Sequence, residues 1–461
     1  MRQRQKRARP EEFVVVSHGM LGYGFPESSI KLAVETGIDL IAVDAGSTDP
    51  GPYYLGSGNM FGNEEMIRRD LALLLEAQEA TGARMIIGSA GGAGTNSQVD
   101  KTMLMLREEL SRLRLKRKVA VIRSEMTKDE VRAALKTGKV RTFETATALT
   151  EADIDQSTHI VAQIGVDPMI AALSDEPDIV LCGRAWDPAN IAALPISCGY
   201  DRGLSIHAGK ILECGALAAL PPQGADLLIG RIRAEDFIIE PCNDTQRCTV
   251  ESVAAHNFYE KTDPLHLPGP GGWSDLRDAT FEQMDPRRVR VAGSRFVPDM
   301  PQTVKLEGAR FAGWRYVLIA GMRDPIMIRQ IDSIQVAAVE RLESLLTGRI
   351  SPDQYTISFH RYGLDGVMGR MEPFRGVPHE IGLVIAVVGK TEKIASTIIE
   401  TIRSLLLHWP YPGRIATAGN LALPFSPAEF SAGPVYEFSI YHLMEIADPA
   451  ARFTHEMVVV A

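Results

Sequence analysis

The first half of the chain alternates short apolar runs with longer stretches of helical spacing. Apolar runs lie at 13–17 (FVVVS), 39–43, 83–89 (ARMIIGS), 117–123, 158–163 and 179–181. Each is short and breaks into Gly, Asp, Ser or Pro, as a buried strand does where it ends in a loop. Between them, residues 27–36, 64–80, 98–115, 127–137 and 168–174 read as helices. Asn63 ahead of Glu64 and Glu65 predicts a capped start for the second of these, with Leu71, Leu74 and Leu75 on its apolar stripe. Six strands separated mostly by helices predict an α/β domain over 12–230: a parallel sheet flanked by helices, Rossmann-like in plan.

The pattern changes after about 220. Residues 231–302 are rich in polar, Pro and Gly positions and predict a loop-rich connection, with HLPGPGGW at 266–273 as a loop. Residues 303–325 alternate well enough for two strands joined by a turn at Ala312-Gly313. A helix follows to about 346, then strands at 356–363 and 380–389 and an amphipathic helix at 393–409. This order predicts a C-terminal α+β domain over 303–461.

Composition narrows the classes. At 461 residues the chain exceeds one ordinary core, in line with separate domains. Its 45% hydrophobic and 23% charged residues suit a soluble globular protein. A net charge of −9 argues against nucleic acid as a partner. No apolar run reaches the roughly 18 residues of a membrane span. Residues 1–11 predict a disordered basic arm, carrying Arg2, Arg4, Lys6, Arg7 and Arg9 with no apolar stretch behind to make a secretory signal. Five cysteines without a CxxC pair fit a reducing, cytoplasmic setting and argue against structural zinc.

The candidate chemistry sits where the strands end. Ligands in open α/β sheets gather beyond the carboxyl ends of the strands. After the run at 179–181 come Arg184, Trp186 and Asp187, with Pro188 placed to open a helix. These residues read either as an ion pair bracing a loop or as a ligand site. Asp44, Ser47 and Asp49 follow the second strand. Gly91, Gly92 and Gly94, then Asn96, follow the third, a turn able to cradle a phosphate or carboxylate. Gly19, Gly22 and Gly24 follow the first, beside His18, in a GxxGxG spacing that is not the dinucleotide fingerprint. Lys101 is misplaced for a Walker motif. Such convergence favours one cleft, with Asp44, Asp187 and Glu213 as acid–base carboxyls and Arg184 gripping an anionic substrate. Gly22, Ser47, Gly91, Gly92 and Asn96 would line it. Cys214 offers an alternative nucleophile. Divalent metal at the aspartates is a further alternative. Residues 372–380, with Glu372, Arg375 and His379, read as an exposed charged loop.

The segments CGRAWDPAN, LECGA, SAGGAGTN, KLEGARFAGWR with IAGMRDP, and PVYEFSIYHLMEIADP resemble the acyclic terpene utilisation AtuA family over most of the chain. The family usually has a small or hydroxyl residue where Cys182 stands, which weighs against Cys182 as a nucleophile. The resemblance implies catabolism of branched acyl compounds and related carboxylates, often as acyl-CoA esters, so that CoA enters as part of the substrate. The combined expectation is a cytoplasmic catabolic enzyme of lyase or hydratase type, acting on an organic acid or its acyl-CoA ester. A thiol-dependent acyl transferase or hydrolase using Cys214 is the alternative. A non-catalytic binding subunit is another. The expected partners are a small-molecule carboxylate or acyl-CoA, further copies of the chain, and in the subunit reading a second protein.

Overall fold

The computed structural model describes residues 11–144, 146–258, 263–374, 376–415 and 418–460. The basic arm falls almost wholly outside the described residues, as does Arg375. The chain divides into two compact units, residues 1–310 with 438–461, and residues 311–437.

The first unit is a mixed α/β body. Its sheet has ten strands in the order Thr280–Gln283, Val289–Ala292, Asp236–Pro241, Leu227–Ile232, Phe13–His18, Leu40–Asp44, Arg84–Gly88, Ile179–Cys182, Arg117–Ile122 and His455–Val460. The five strands from Phe13–His18 to Arg117–Ile122 run parallel, and antiparallel strands flank them on both sides. Ile179–Cys182 slots between the third and fourth of the expected strands and is buried along its whole length. Side chains alternate across the sheet. Val15, Ala42, Ile86 and Val180 enter one apolar cluster, while Val16, Ile41, Met85 and Leu181 enter the cluster on the other face. Helix starts follow local chemistry. The Asn63 side chain caps Glu64–Thr81, and Thr95 with Gln98 closes a capping box on Asn96–Arg112.

Several expectations are corrected. Ser157–Gln163 is a strand but not a member of the large sheet: it pairs antiparallel with Lys305–Arg310. Thr158 seals that pairing through its hydroxyl, which donates to the Ala309 carbonyl. The stretch 231–302 is not merely a loop-rich connection, because it supplies strands that extend the sheet. Within it, HLPGPGGW folds into a hairpin, His266–Gly269 against Gly272–Asp275, turned by Pro270 and Gly271.

The second unit packs helices Ile331–Leu346 and Glu392–His408 against strands through one apolar cluster that includes Leu318, Leu383 and Ile399. Tyr355–Tyr362 pairs antiparallel with Ile381–Gly389, which pairs antiparallel with Trp314–Met322. The turn expected at Ala312-Gly313 is absent, since Thr303–Met322 is one unbroken strand. Gly313 serves a close approach instead. A Cβ there would lie 2.5 Å from the carbonyl oxygen of Gly389 on the neighbouring strand. Residues 303–310 and 438–460 of the expected C-terminal domain belong to the first unit. Among the described residues no helix is long and apolar enough to cross a membrane.

Candidate active site

Strand ends at the carboxyl edge of the parallel run bring the charged residues together. Chain continues from Cys182 through Gly183 into Arg184, whose side chain is almost wholly buried. The third strand ends in the glycine turn, which must come close. A Cβ on Gly94 would sit 2.0 Å from the Arg184 nitrogen, and one on Gly46 would sit 2.4 Å from the Gly92 Cα. These glycines therefore admit neighbouring backbone. Ser89, at the head of the turn, holds a positive φ of 52°, costly for a residue with a Cβ. Its hydroxyl accepts from the Ala185 amide at 3.2 Å and from Arg184 Nη1 at 3.1 Å.

Arg184 is the buried counter-ion of the site. Nε donates to Glu307 Oε2 at 2.8 Å, and Nη1 donates to Asp187 Oδ1 at 3.1 Å and to the Ala185 carbonyl at 2.8 Å. Lys305 Nζ lies 2.8 Å from the other Glu307 oxygen, which also accepts from the Thr48 hydroxyl at 3.1 Å. Burial alone would raise Glu307, but Arg184 and Lys305 overcome it and hold the carboxylate down to about 2. Both nitrogens of Arg184 named here, Nε and Nη1, are engaged by protein groups.

Asp187 opens helix Asp187–Ser197, and its carboxyl keeps about a quarter of its surface exposed (26%). Burial raises its pKa, against the pull of Arg184. Asp44 ends the second strand and accepts from the Gly46 amide at 3.1 Å. Burial pushes the Asp44 carboxyl well above the carboxylate range, and the negative charge of Asp187 adds to the rise. Glu213 also contributes, and Arg184 opposes it. Lys210 and Glu213, one turn apart at the end of helix Arg202–Leu212, form a buried ion pair. Desolvation would lower the Lys210 ammonium, but Glu213 raises it, so it is charged. Cys214 feels Glu213, Lys210, Asp44 and Asp187. Its thiol is pushed up by burial and then by Glu213, the opposite of what a thiolate nucleophile needs.

Thus Asp44, Asp187, Arg184, Glu213 and Cys214 share one electrostatic neighbourhood. The other expected residues do not join it through the contacts they make. Gly22 donates its amide to Asp70, which also holds the Gly24 amide and His18 Nε2. Ser47 bonds Asp49 locally. Gly91 stands against Gln98 and Met60, and Gly92 against Phe61. The Asn96 amide donates to Glu125. Trp186 lies over Gly269 of the hairpin as packing. Among the described residues, no group of three or more His, Cys, Asp or Glu is placed to hold a metal ion. Sequence reading missed Lys210, Lys305 and Glu307. Lys305 and Glu307 had a signal, since they alternate on one face of an apolar strand. Lys210 also had one, as it stands one helical turn before Glu213.

A family model described as acyclic terpene utilisation family protein AtuA matches residues 57–219 and 234–425, and the chain belongs to this family. Arg184, Asp187, Lys210, Glu213, Lys305 and Glu307 lie within the matched residues, and Asp44 lies before them. No curated protein and no solved structure matches the chain.

Two outcomes follow from the buried charges. Glu307→Gln should cost about 3 kcal/mol of stability in urea unfolding, because it strips Arg184 of its closest counter-charge; a loss below about 1 kcal/mol would contradict the account. Asp44→Asn should stabilise the protein at alkaline pH. The pKa of Asp44 is raised in the folded state, so the wild type loses stability as pH rises from the ordinary value of 3.8 through the raised one. Asn cannot ionise, so the melting temperature of the variant should exceed that of the wild type at pH 8 and converge with it near pH 4.

Proposed function

We propose that this member of the acyclic terpene utilisation family is an acid–base enzyme of lyase or hydratase type that acts on an organic acid or its acyl-CoA ester. One observation carries the reading. Two carboxyls, Asp44 and Asp187, are raised together at the carboxyl edge of the parallel strands, in surroundings that treat them differently. Pairs whose environments separate their protonation states are how acid and base roles are divided at neutral pH. The parallel run, with its chemistry at the strand ends, supports a Rossmann-like use of the sheet edge.

The roles follow from the partners. Asp187, beside Arg184, is the ionised member and takes the proton from the carbon next to the substrate carbonyl. Asp44 keeps its proton and gives it to the departing hydroxyl, which leaves as water while the carbon–carbon double bond forms. Hydration runs the same steps backwards. Lys210, which interacts with Asp187, holds the negative charge that develops at the carbonyl oxygen. The raised thiol of Cys214 makes the thiol-dependent alternative the weaker reading.

Asp187→Asn should lower turnover of a responsive acid or acyl-CoA ester by about 10²–10⁴-fold, with an unchanged circular dichroism spectrum. Cys214→Ala should retain most of it. The reverse pattern would establish the thiol reading. Purified protein that turns over no acid or acyl-CoA ester until a second protein is added would establish a binding subunit instead.

A further inference from the structure

The strand Tyr355–Tyr362 forms one edge of its sheet, and among the described residues no strand pairs with its outer side. It is eight residues long, contains neither Pro nor Lys, and keeps an unbroken register with Ile381–Gly389. Natural sheets blunt their edges with short strands, prolines, lysines or bulges, because an open ladder recruits another strand. Those devices are missing from this edge. Its side chains alternate. Tyr355, Ile357 and Phe359 pack on the apolar cluster beneath the helices, while Thr356, Ser358, His360 and Tyr362 are exposed. Arg361 is turned onto Asp332 and Asp365. Directly after the strand, exposed apolar side chains concentrate. Val367, Met371 and Phe374 are 82%, 79% and 82% exposed, and Met368 and Val377 are exposed beside them. The turn that carries them is anchored, since the Leu364 and Gly366 amides donate to the Arg361 carbonyl at 3.0 and 2.9 Å. It surrounds a hollow of about 400 Å³ lined in part by Leu364, Phe374 and Val377. An unpaired ladder and a concentrated apolar surface therefore adjoin one another.

We propose that the edge strand Tyr355–Tyr362 is a dimer interface, where it pairs antiparallel with the same strand of a second copy of this chain. Self-pairing about a two-fold axis normal to the sheet restricts the register. Opposed residues must point to the same face, so their numbers differ by an even amount. A pairing centred on Ser358 meets that condition. It sets Ile357 of one copy against Phe359 of the other, and Thr356 against His360. Arg361 meets Tyr355, so no two like charges stand opposite each other. Centring the pair on Phe359 would instead set Arg361 against the apolar Ile357. A second copy is the occupant that fits, because edge, register and side chains complement themselves.

Strand pairing alone is a narrow contact. A stable interface covers about 800 Å² on each partner, whereas a strand of this length is only roughly 27 Å long. The apolar turn supplies the remaining area. Antiparallel pairing carries each turn past the start of the other copy's strand, beside Pro352–Gln354, so both turns gain cover. The two-fold contact uses this edge of both copies, and association through it stops at two chains.

The test uses the full-length protein. Sedimentation equilibrium at about 10 µM should give twice the 50.4 kDa of one chain. Ser358→Lys brings two ammonium groups together on the axis and should give a monomer with an unchanged circular dichroism spectrum. Phe374→Asp, in the exposed turn, should raise the dimer dissociation constant about 10-fold. Ser358→Cys reads the register, in a background where the exposed Cys198 is replaced by serine. The Cα atoms of the two copies of residue 358 should lie about 4.5–5.5 Å apart, within disulfide reach, so diamide should cross-link them. Thr356→Cys should not cross-link, since its two copies stand about 14 Å apart. A monomeric wild type, a dimer that survives Ser358→Lys, an unchanged dissociation constant in Phe374→Asp, or equal cross-linking of both cysteine variants would overturn the proposal. So would a monomer that floats with phosphatidylglycerol vesicles, which would assign the apolar turn to a lipid surface. None of these readouts depends on Asp44 or Asp187, so failure here is distinct from failure of the acid–base reading.

Discussion

The buried guanidinium of Arg184 is the interaction on which the rest of the first unit depends. It stands 123 residues from Glu307 in sequence, yet the two meet at 2.8 Å with both side chains almost wholly out of water. An unpaired charge in such a place would be prohibitive, so each partner dictates the position of the other. Several costs gather around this pair. Ser89 holds a strained φ, and Gly94 gives up its side chain so that backbone can touch backbone. The strand Lys305–Arg310 pairs with Ser157–Gln163, outside the large sheet, and so delivers Glu307. These features make sense together as the means of holding one cation behind one end of an aspartate.

Charge balance connects that anchor to chemistry. Asp44, Asp49, Asp187, Glu213 and Glu307 are five carboxyls, and Arg184, Lys210 and Lys305 are three cations in the same neighbourhood. Carboxyls outnumber cations, so a retained proton relieves the excess negative charge. Glu307 is held down to about 2 by two cations, and Glu213 is paired with Lys210, so neither is the natural carrier. Asp44, raised by burial and by Asp187, is. In the proposed elimination a protonated carboxyl and an ionised one supply the acid and the base, with Lys210 holding the charge at the carbonyl oxygen.

Much of the parallel run was legible from apolar periodicity, because strands buried on both faces read as continuous apolar runs. The misassigned strand, 158–163, shows the limit. Its pattern is that of a buried strand, but pattern alone cannot say which sheet receives it, and its partner lies more than 140 residues later. Asp44, Arg184 and Asp187 could be named because they follow strand ends. Lys305 and Glu307 showed only as charges on one face of an apolar strand, and that signal does not say which site they reach, because long-range pairing places them. The glycines illustrate the converse error. Gly22, Gly91 and Gly92 look like an anion cradle in sequence, whereas the Gly22 amide holds Asp70 and the other two permit close packing. A glycine-rich turn states that something approaches closely, without stating what.

The proposed acid–base roles require Asp44 to carry a proton at neutral pH. Infrared difference spectroscopy comparing the wild type with Asp44→Asn at pH 7 reads that proton directly, since a protonated carboxyl has a carbonyl stretch that a carboxylate lacks. The account predicts a protonated-carboxyl band in the wild type that disappears in Asp44→Asn and, in the wild type, fades only as the pH is raised well above the ordinary aspartate range. A wild type in which Asp44 is fully ionised at pH 7 would contradict it.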